Sequence, residues 1–401
     1  MLVLGLSALL FGCRSEPPAP FETFLDARPV PPIDTSRGDA YDWYASAALE
    51  AEEKATAYAK WVSFPESDRA KIIAALGPAL QKVARGSTLT CSYRCGPTKP
   101  FEPAPYSAGW RLCGRALTWR IERALSAGDV PSAIRDFLVA TRFGFDLSAG
   151  DTTVASLGLA IVDDARLALL KGRAKLSAQD LRAVASGLGE VLARVPDPGL
   201  AMDCEAQQML AAVDFVQDAY RAGNYDALVS GLGPEIRNAT DALDAMKGHD
   251  AKQRPAYFRG FANEAKDRAK RMKQLAGMPA VERANQKPFE TTGDRPWRRF
   301  ARHFFLAGEP YLAMRDRTLA RTRLLLIECH ALSYVKGGQP APVGLSPLPD
   351  VAVTDPYTGA PLRYLASGST FRAYSVGANF ADDGGESGED GESPDLILEA
   401  G

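Results

Sequence analysis

Apolar positions recur at helical spacing along most of this chain, most clearly between Leu112 and Phe145. Leu112, Ala116, Trp119, Ile121, Ala124 and Leu125 mark one run, and Val130, Ile134, Phe137, Leu138, Ala140 and Phe143 mark the next. Ala127-Gly128-Asp129 separates them as a tight turn. Asp129 is placed to N-cap the second run, and Pro131 falls in its first turn, where a missing N–H costs little. The pattern predicts an antiparallel helical hairpin on which the rest of the chain packs.

The same reading extends in both directions. Residues 36–84 predict one or two helices: Ala40–Tyr58, with aromatics at Tyr41, Trp43, Tyr44 and Tyr58, and a run opened by Ser67-Asp68 that continues through Ile72, Ile73, Leu76, Leu80 and Val83. A Gly/Pro-rich loop, Ser87 to Pro105, leads into the hairpin. After it, Thr153–Leu170 is apolar and helical. Ser177 with Asp180 forms a capping arrangement for a helix burying Leu181, Val184, Leu188, Val191 and Leu192, which Pro196 and Pro198 end. Further helices are predicted over 199–222, 224–247, 256–276 and 297–336, with Pro310 kinking or splitting the last. Two short strands, Leu362–Leu365 and Thr370–Val376, flank a turn at Gly368. The predicted fold is mainly α, an array of antiparallel helical hairpins with a small C-terminal β appendage.

Composition adds two facts. A hydrophobic share of 46% and a charged share of 24% over 401 residues are those of a globular protein with a real core. The net charge of −2 is unevenly spread: eight acidic residues and no basic one follow Arg372, so the preceding chain carries +6. That balance is too weakly basic for a nucleic-acid binder.

The N-terminus is of another kind. Residues 2–12 are uncharged and apolar, too short to span a bilayer and the right length for a signal-peptide core. Leu10-Phe11-Gly12-Cys13 resembles a bacterial lipobox, which implies that Cys13 is acylated and becomes the mature N-terminus. The expected layout is a signal peptide at 1–12, a Pro-rich tether at 13–35, a helical domain at 36–340, and a β segment with acidic tail at 350–401. The partner so implied is a membrane, reached through the N-terminal lipid anchor and facing the periplasm or the cell surface. In an oxidising compartment Cys113 is expected to pair with Cys91 or Cys95 of the preceding loop. Three clustered cysteines without a nearby His are one ligand short of a zinc site. Cys204 and Cys329 read as small buried apolar residues.

No stretch spells out a reaction. Glu328-Cys329-His330 brings three reactive types together, but helical neighbours diverge by about 100° and form no dyad by sequence alone. His249 and His303 are scattered. There is no Gly-rich phosphate loop and no Gly-x-Ser-x-Gly. The basic residues Lys266, Arg268, Lys270, Arg271 and Lys273, with Arg295, Arg298, Arg299 and Arg302, form either a face for anionic lipid or a partner, or a solvated helix surface.

Three resemblances remain. The hairpin at 112–145 has the length and the Ala-Gly-Asp turn of a tetratricopeptide unit, without a second copy in register. The overall layout is similar to that of uncharacterised bacterial envelope lipoproteins. Farther on, Asp355-Pro356, Gly359, Pro361-Leu362-x-Tyr364, then Phe371-x-x-Tyr374-Ser375-x-Gly377-Ala378-Asn379, Asp383-Gly384-Gly385 and Asp395-Leu396-Ile397 resemble the C-terminal β region of type II secretion major pseudopilins. That resemblance implies a calcium loop with ligands at the Val376 carbonyl, Asn379, Asp382 or Asp383, and Asp395. The expected function is a membrane-tethered exported protein that binds or scaffolds a partner through its helical body, with no catalytic residue assigned. The alternatives are an envelope hydrolase built from scattered carboxylates and an accessory of a secretion or pilus-like assembly.

Overall fold

The computed structural model describes residues 21–25, 31–55, 66–96, 104–224, 254–286, 308–385 and 395–398. Among them the chain is mainly helical, with twelve helices packed in pairs and one two-stranded antiparallel sheet near the C-terminus. None of these helices is long and apolar enough to cross a membrane. Helices α1 (Ala40–Ala55), α2 (Glu66–Ala75) and α3 (Gly77–Ser87) precede the central hairpin of α4 (Ser107–Ala127) and α5 (Val130–Leu147). The run from Ser67 to Val83 is thus two helices, broken at Gly77-Pro78 where proline offers no N–H.

The hairpin turns as its residues dictate. Gly128 adopts φ 77°, open to glycine at no cost, so the Gly128 and Asp129 N–H groups return to the carbonyls of Leu125 (3.3 Å) and Ala124 (2.8 Å). The Asp129 carboxylate then accepts the Ser132 N–H and caps α5. Helix α6 (Thr152–Lys171) folds back against α5, capped by Asp151. The two helices touch backbone to backbone. A Cβ on Gly158 would lie 2.3 Å from the Gly144 carbonyl oxygen, so only glycine permits this approach.

Ser177 and Asp180 form the predicted capping box at the start of α7 (Ala178–Leu192). Pro198 does not end that helix. It stands in the first turn of α8 (Pro198–Arg221), with Asp197 as N-cap. Helix α9 (Arg254–Ala276) pairs with α8, and a short α10 (Ala280–Ala284) follows. The longest helix, α11 (Gly308–Lys336), lies along α7 and α6. Pro310 sits in its first described turn and therefore interrupts no helical hydrogen bond there. After α12 (Asp350–Val353) come β1 (Arg363–Ser367) and β2 (Thr370–Tyr374), paired from Arg363↔Tyr374 to Ser367↔Thr370. The segment expected at 224–247 lies outside the described residues apart from Asn224.

One core joins most of these helices, with Trp110, Tyr44, Phe137, Phe143 and Tyr311 fully enclosed. A buried polar triad sits inside it. The Tyr44 hydroxyl and the Arg142 Nε donate to the Asp146 carboxylate at 2.8 and 3.0 Å, and Arg142 also donates to the Arg194 carbonyl.

Two segments near the ends of the chain dock on the helical body. Within the proposed tether, the Phe24 and Leu25 N–H groups donate to Asp214 of α8. Gln217 donates to the Glu22 carbonyl, and Phe21 faces Phe258 of α9 at 6.1 Å. The β hairpin is likewise fused to the body: Leu362 packs on Leu324 and Ile327, and Tyr357 and Val376 pack with Ala280 and Ala320. The N–H groups of Ala280 and Val281 bond the carbonyls of Pro356 and Tyr357.

Candidate functional site

Fusing the hairpin to α11 leaves a cleft of about 830 Å³ between them and the start of α6. Its floor is apolar: Tyr311, Met314 and Tyr357, with Pro310, Ala313, Gly377, Ala378 and Leu396 around them. Thr152, Thr153 and Ser156 supply hydroxyls from α6, and Arg317 and Arg321 supply charge from α11. The side chains at 310, 314, 317 and 321 share one helix face because they recur every three or four residues. The neighbouring arginines point elsewhere and serve as staples: Arg315 donates to the Pro196 carbonyl at 3.1 Å, and Arg323 to the Thr354 carbonyl at 2.7 Å.

The backbone groups at this end of α6 are already taken. Glu205 accepts from the Thr152 N–H, and Asp151 accepts from those of Thr153 and Val154, so the arginines, not the helix terminus, are the cleft's anion-attracting groups. Burial pushes the phenols of Tyr311 and Tyr357 up to about 12, which keeps both neutral. The Tyr311 hydroxyl donates to the Ser148 carbonyl and is held in place. Among the described residues the lining contains no carboxylate, imidazole, thiol or amine, and it can orient an acidic group and shelter an apolar body. A shallower groove of about 560 Å³ runs between α5 and α7, past Ile134, Leu138 and Val191.

The residues singled out by sequence are dispersed. Cys13 lies outside the described residues. The disulfide joins Cys95 to Cys204, Cα atoms 5.1 Å apart, and leaves Cys91 and Cys113 as thiols. The expected pairing with Cys113 fails because the loop runs the other way. Asp39 accepts the Ser92 N–H, and Arg94 grips Asp42 with two bonds of 2.7 Å. The Gly96 carbonyl then accepts from Gln208 on α8. Cys113 points into the core, where burial raises its pKa to about 12. Cys204, read as a small core residue, is half of the bridge. Cys329 is buried as expected. Glu328 beside it pairs with Arg173, and His330 lies edge-on to Tyr334 at 5.3 Å, so the three form no catalytic group.

In the C-terminal loop the carboxylates hold the chain. Asp395 accepts from the Asp383 and Gly385 N–H groups at 3.1 and 2.6 Å, and its neighbour Leu396 bridges Ser375. Asp382 takes the Tyr374 hydroxyl and pairs with Arg363, and Asn379 donates to Asp383. Among the described residues no three ligating side chains converge. The calcium ligands implied at Val376, Asn379, Asp382, Asp383 and Asp395 are therefore not gathered by the described residues. Of the basic run, Arg268 pairs with the buried Glu264 and Lys273 with Asp203. Arg295, Arg298, Arg299, Arg302, His249 and His303 lie outside the described residues. Arg317 and Arg321 escaped sequence reading, although their four-residue spacing after Met314 was visible. No family model, curated protein or solved structure matches this chain.

Proposed function

We propose that this protein is an exported, lipid-anchored binding protein of the cell envelope, which holds an amphipathic acid without reacting with it in the cleft between α6, α11 and the C-terminal hairpin. The observation that carries this reading is the lining itself: apolar floor, hydroxyl wall, two arginines and, among the described residues, no carboxylate or imidazole to activate a hydroxyl. Export has separate support. A disulfide such as Cys95–Cys204 suits an oxidising compartment, and the apolar leader ending at Cys13 suits acylation.

Calorimetric titration with decanoate tests the cleft. Wild-type protein is expected to bind one equivalent, and Arg317→Glu to weaken binding about tenfold or more by replacing attraction with repulsion. Arg317 is exposed, so the charge reversal falls at the surface, and a native circular dichroism spectrum checks the fold. Unchanged affinity in Arg317→Glu would overturn the assignment. The anchor is tested apart from the cleft: Cys13→Ser is expected to move the protein from the membrane fraction to the soluble exported one, and an unmoved variant would refute acylation.

A further inference from the structure

We propose that the ligand of the main cleft is polar at both ends: an apolar chain with an acid at one end and a hydroxyl, not a second acid, at the other. This rests on the cleft reading above and adds where each end lies. Helices α6 and α11 run parallel and in step. Thr318 of α11 donates to Asp163 of α6, and Glu328 of α11 pairs with Arg173 just past α6; both contacts join residues 155 apart in sequence. At that offset Ser156 lies level with Tyr311. Arg317 stands six residues farther along, about 9 Å at 1.5 Å per residue. The hydroxyls and the guanidiniums therefore hold opposite ends of the cleft, and Tyr311, Met314 and Tyr357 form its apolar middle.

The hydroxyl end selects by charge and by hydrogen bonding. Thr152 and Thr153 share a helix face with Ser156, which follows them by four and three residues. The Thr152 hydroxyl gives its proton to Glu205 at 2.8 Å, so only its lone pairs remain to accept a bond. Among the described residues the Thr153 and Ser156 hydroxyls have no protein partner. Two carboxylates back this wall. Glu205 also accepts the Thr152 N–H, and Asp151 accepts those of Thr153 and Val154. Negative charge so close repels a second anion, whereas a ligand hydroxyl can donate to Thr152 and accept from Ser156. A plain alkyl end would cover these hydroxyls and leave them without a partner, which costs affinity.

The acid end is set by Arg317 and Arg321, whose neighbour Asp316 is engaged by Arg283. An extended ten-carbon chain is about 11 Å long and reaches from these arginines to the hydroxyl wall.

The test is calorimetry on the full-length protein with decanoate, ω-hydroxydecanoate, β-hydroxydecanoate and decanedioate as separate probes. The ω-hydroxy acid is expected to bind about tenfold more tightly than decanoate. The β-hydroxy acid carries its hydroxyl beside the carboxylate and is expected only to match decanoate. Decanedioate, with its second charge facing Asp151 and Glu205, is expected to bind no more tightly than decanoate. Thr153→Val/Ser156→Ala is expected to erase the tenfold preference while decanoate binds at least as well as before, and Ser156→Ala alone to reduce that preference should the double variant not fold. Three results would overturn the proposal: equal affinity for the ω-hydroxy acid and decanoate, an equal or greater gain with the β-hydroxy acid or decanedioate, or a preference that survives both hydroxyl variants. Decanoate bound without any gain from the ω-hydroxyl would overturn this inference and leave the cleft reading standing, and no binding of any of the four acids would overturn both.

Discussion

Breaking the Cys95–Cys204 bridge is expected to cost 3–5 kcal/mol of folding stability without changing the native structure. The two cysteines are 109 residues apart in sequence, so the bridge closes a long loop in the unfolded chain. A loop of that length loses about 16 cal/mol/K of chain entropy on cross-linking, or about 4.8 kcal/mol at 25 °C. The native state depends on the bridge far less. Arg94 remains clamped to Asp42, Tyr93 remains packed edge-on to Tyr41 at 5.2 Å, and the Gly96 carbonyl still accepts from Gln208. These contacts hold the loop against α1 and α8 whether or not the sulfurs are joined. The effect therefore falls on the unfolded ensemble. Urea unfolding followed by far-ultraviolet circular dichroism would compare the oxidised protein, the reduced protein and Cys95→Ala/Cys204→Ala. Both perturbed forms should lose the same stability and keep the same native spectrum. A loss below about 1 kcal/mol, or non-reduced peptide mapping that finds Cys113 in the bridge, would refute the reasoning.

Gly158→Ala should destabilise the protein by about 1–3 kcal/mol, because its methyl group meets the Gly144 carbonyl at 2.3 Å and the Leu147 Cβ at 2.9 Å. Gly189→Ala, facing open space within α7, should stabilise by about 0.5–1 kcal/mol, and the pair of melting curves separates close packing from helix propensity. Stability should also fall between pH 5 and about 7. Burial pushes Asp146 up to about 6 against the pull of Arg142 and Tyr44, and pushes Asp316 up to about 6 against Arg283. A carboxyl with a raised folded pKa binds its proton more tightly when folded, so its contribution is fullest near the ordinary aspartate value of 3.8 and is lost as pH rises through about 6. A urea midpoint that is flat or rising from pH 5 to about 7 would contradict this sign.

What the sequence revealed was local, and what it hid was long-range. Helix and strand periodicity is written within a few residues, so the hairpin at 112–145, the Asp129 cap and the Ser177–Asp180 box were all legible before any coordinates. Pro198 was ambiguous because proline both follows one helix and opens the next, and only the Asp197 cap decides between them. The Cys95–Cys204 bridge was hidden because the loop's destination is set by Asp39, Asp42 and Gln208, all of them far from Cys95 in sequence. The main cleft was hidden for the same reason. Its walls come from Thr152, Arg317 and Gly377, which meet only because Leu362, Tyr357 and Val376 bury the hairpin against α11. The chain offset that brings a strand onto a helix more than 30 residues earlier leaves no periodic trace.

Hydrogen–deuterium exchange in the presence and absence of decanoate tests the central claim most directly, because it reports where the ligand lies as well as whether it binds. Protection is expected in residues 152–156, 310–321 and 375–378, the three stretches that wall the cleft, and it should vanish in Arg317→Glu. Protection confined to the groove between α5 and α7, or none at all at saturating ligand, would contradict a binding cleft between α11 and the hairpin.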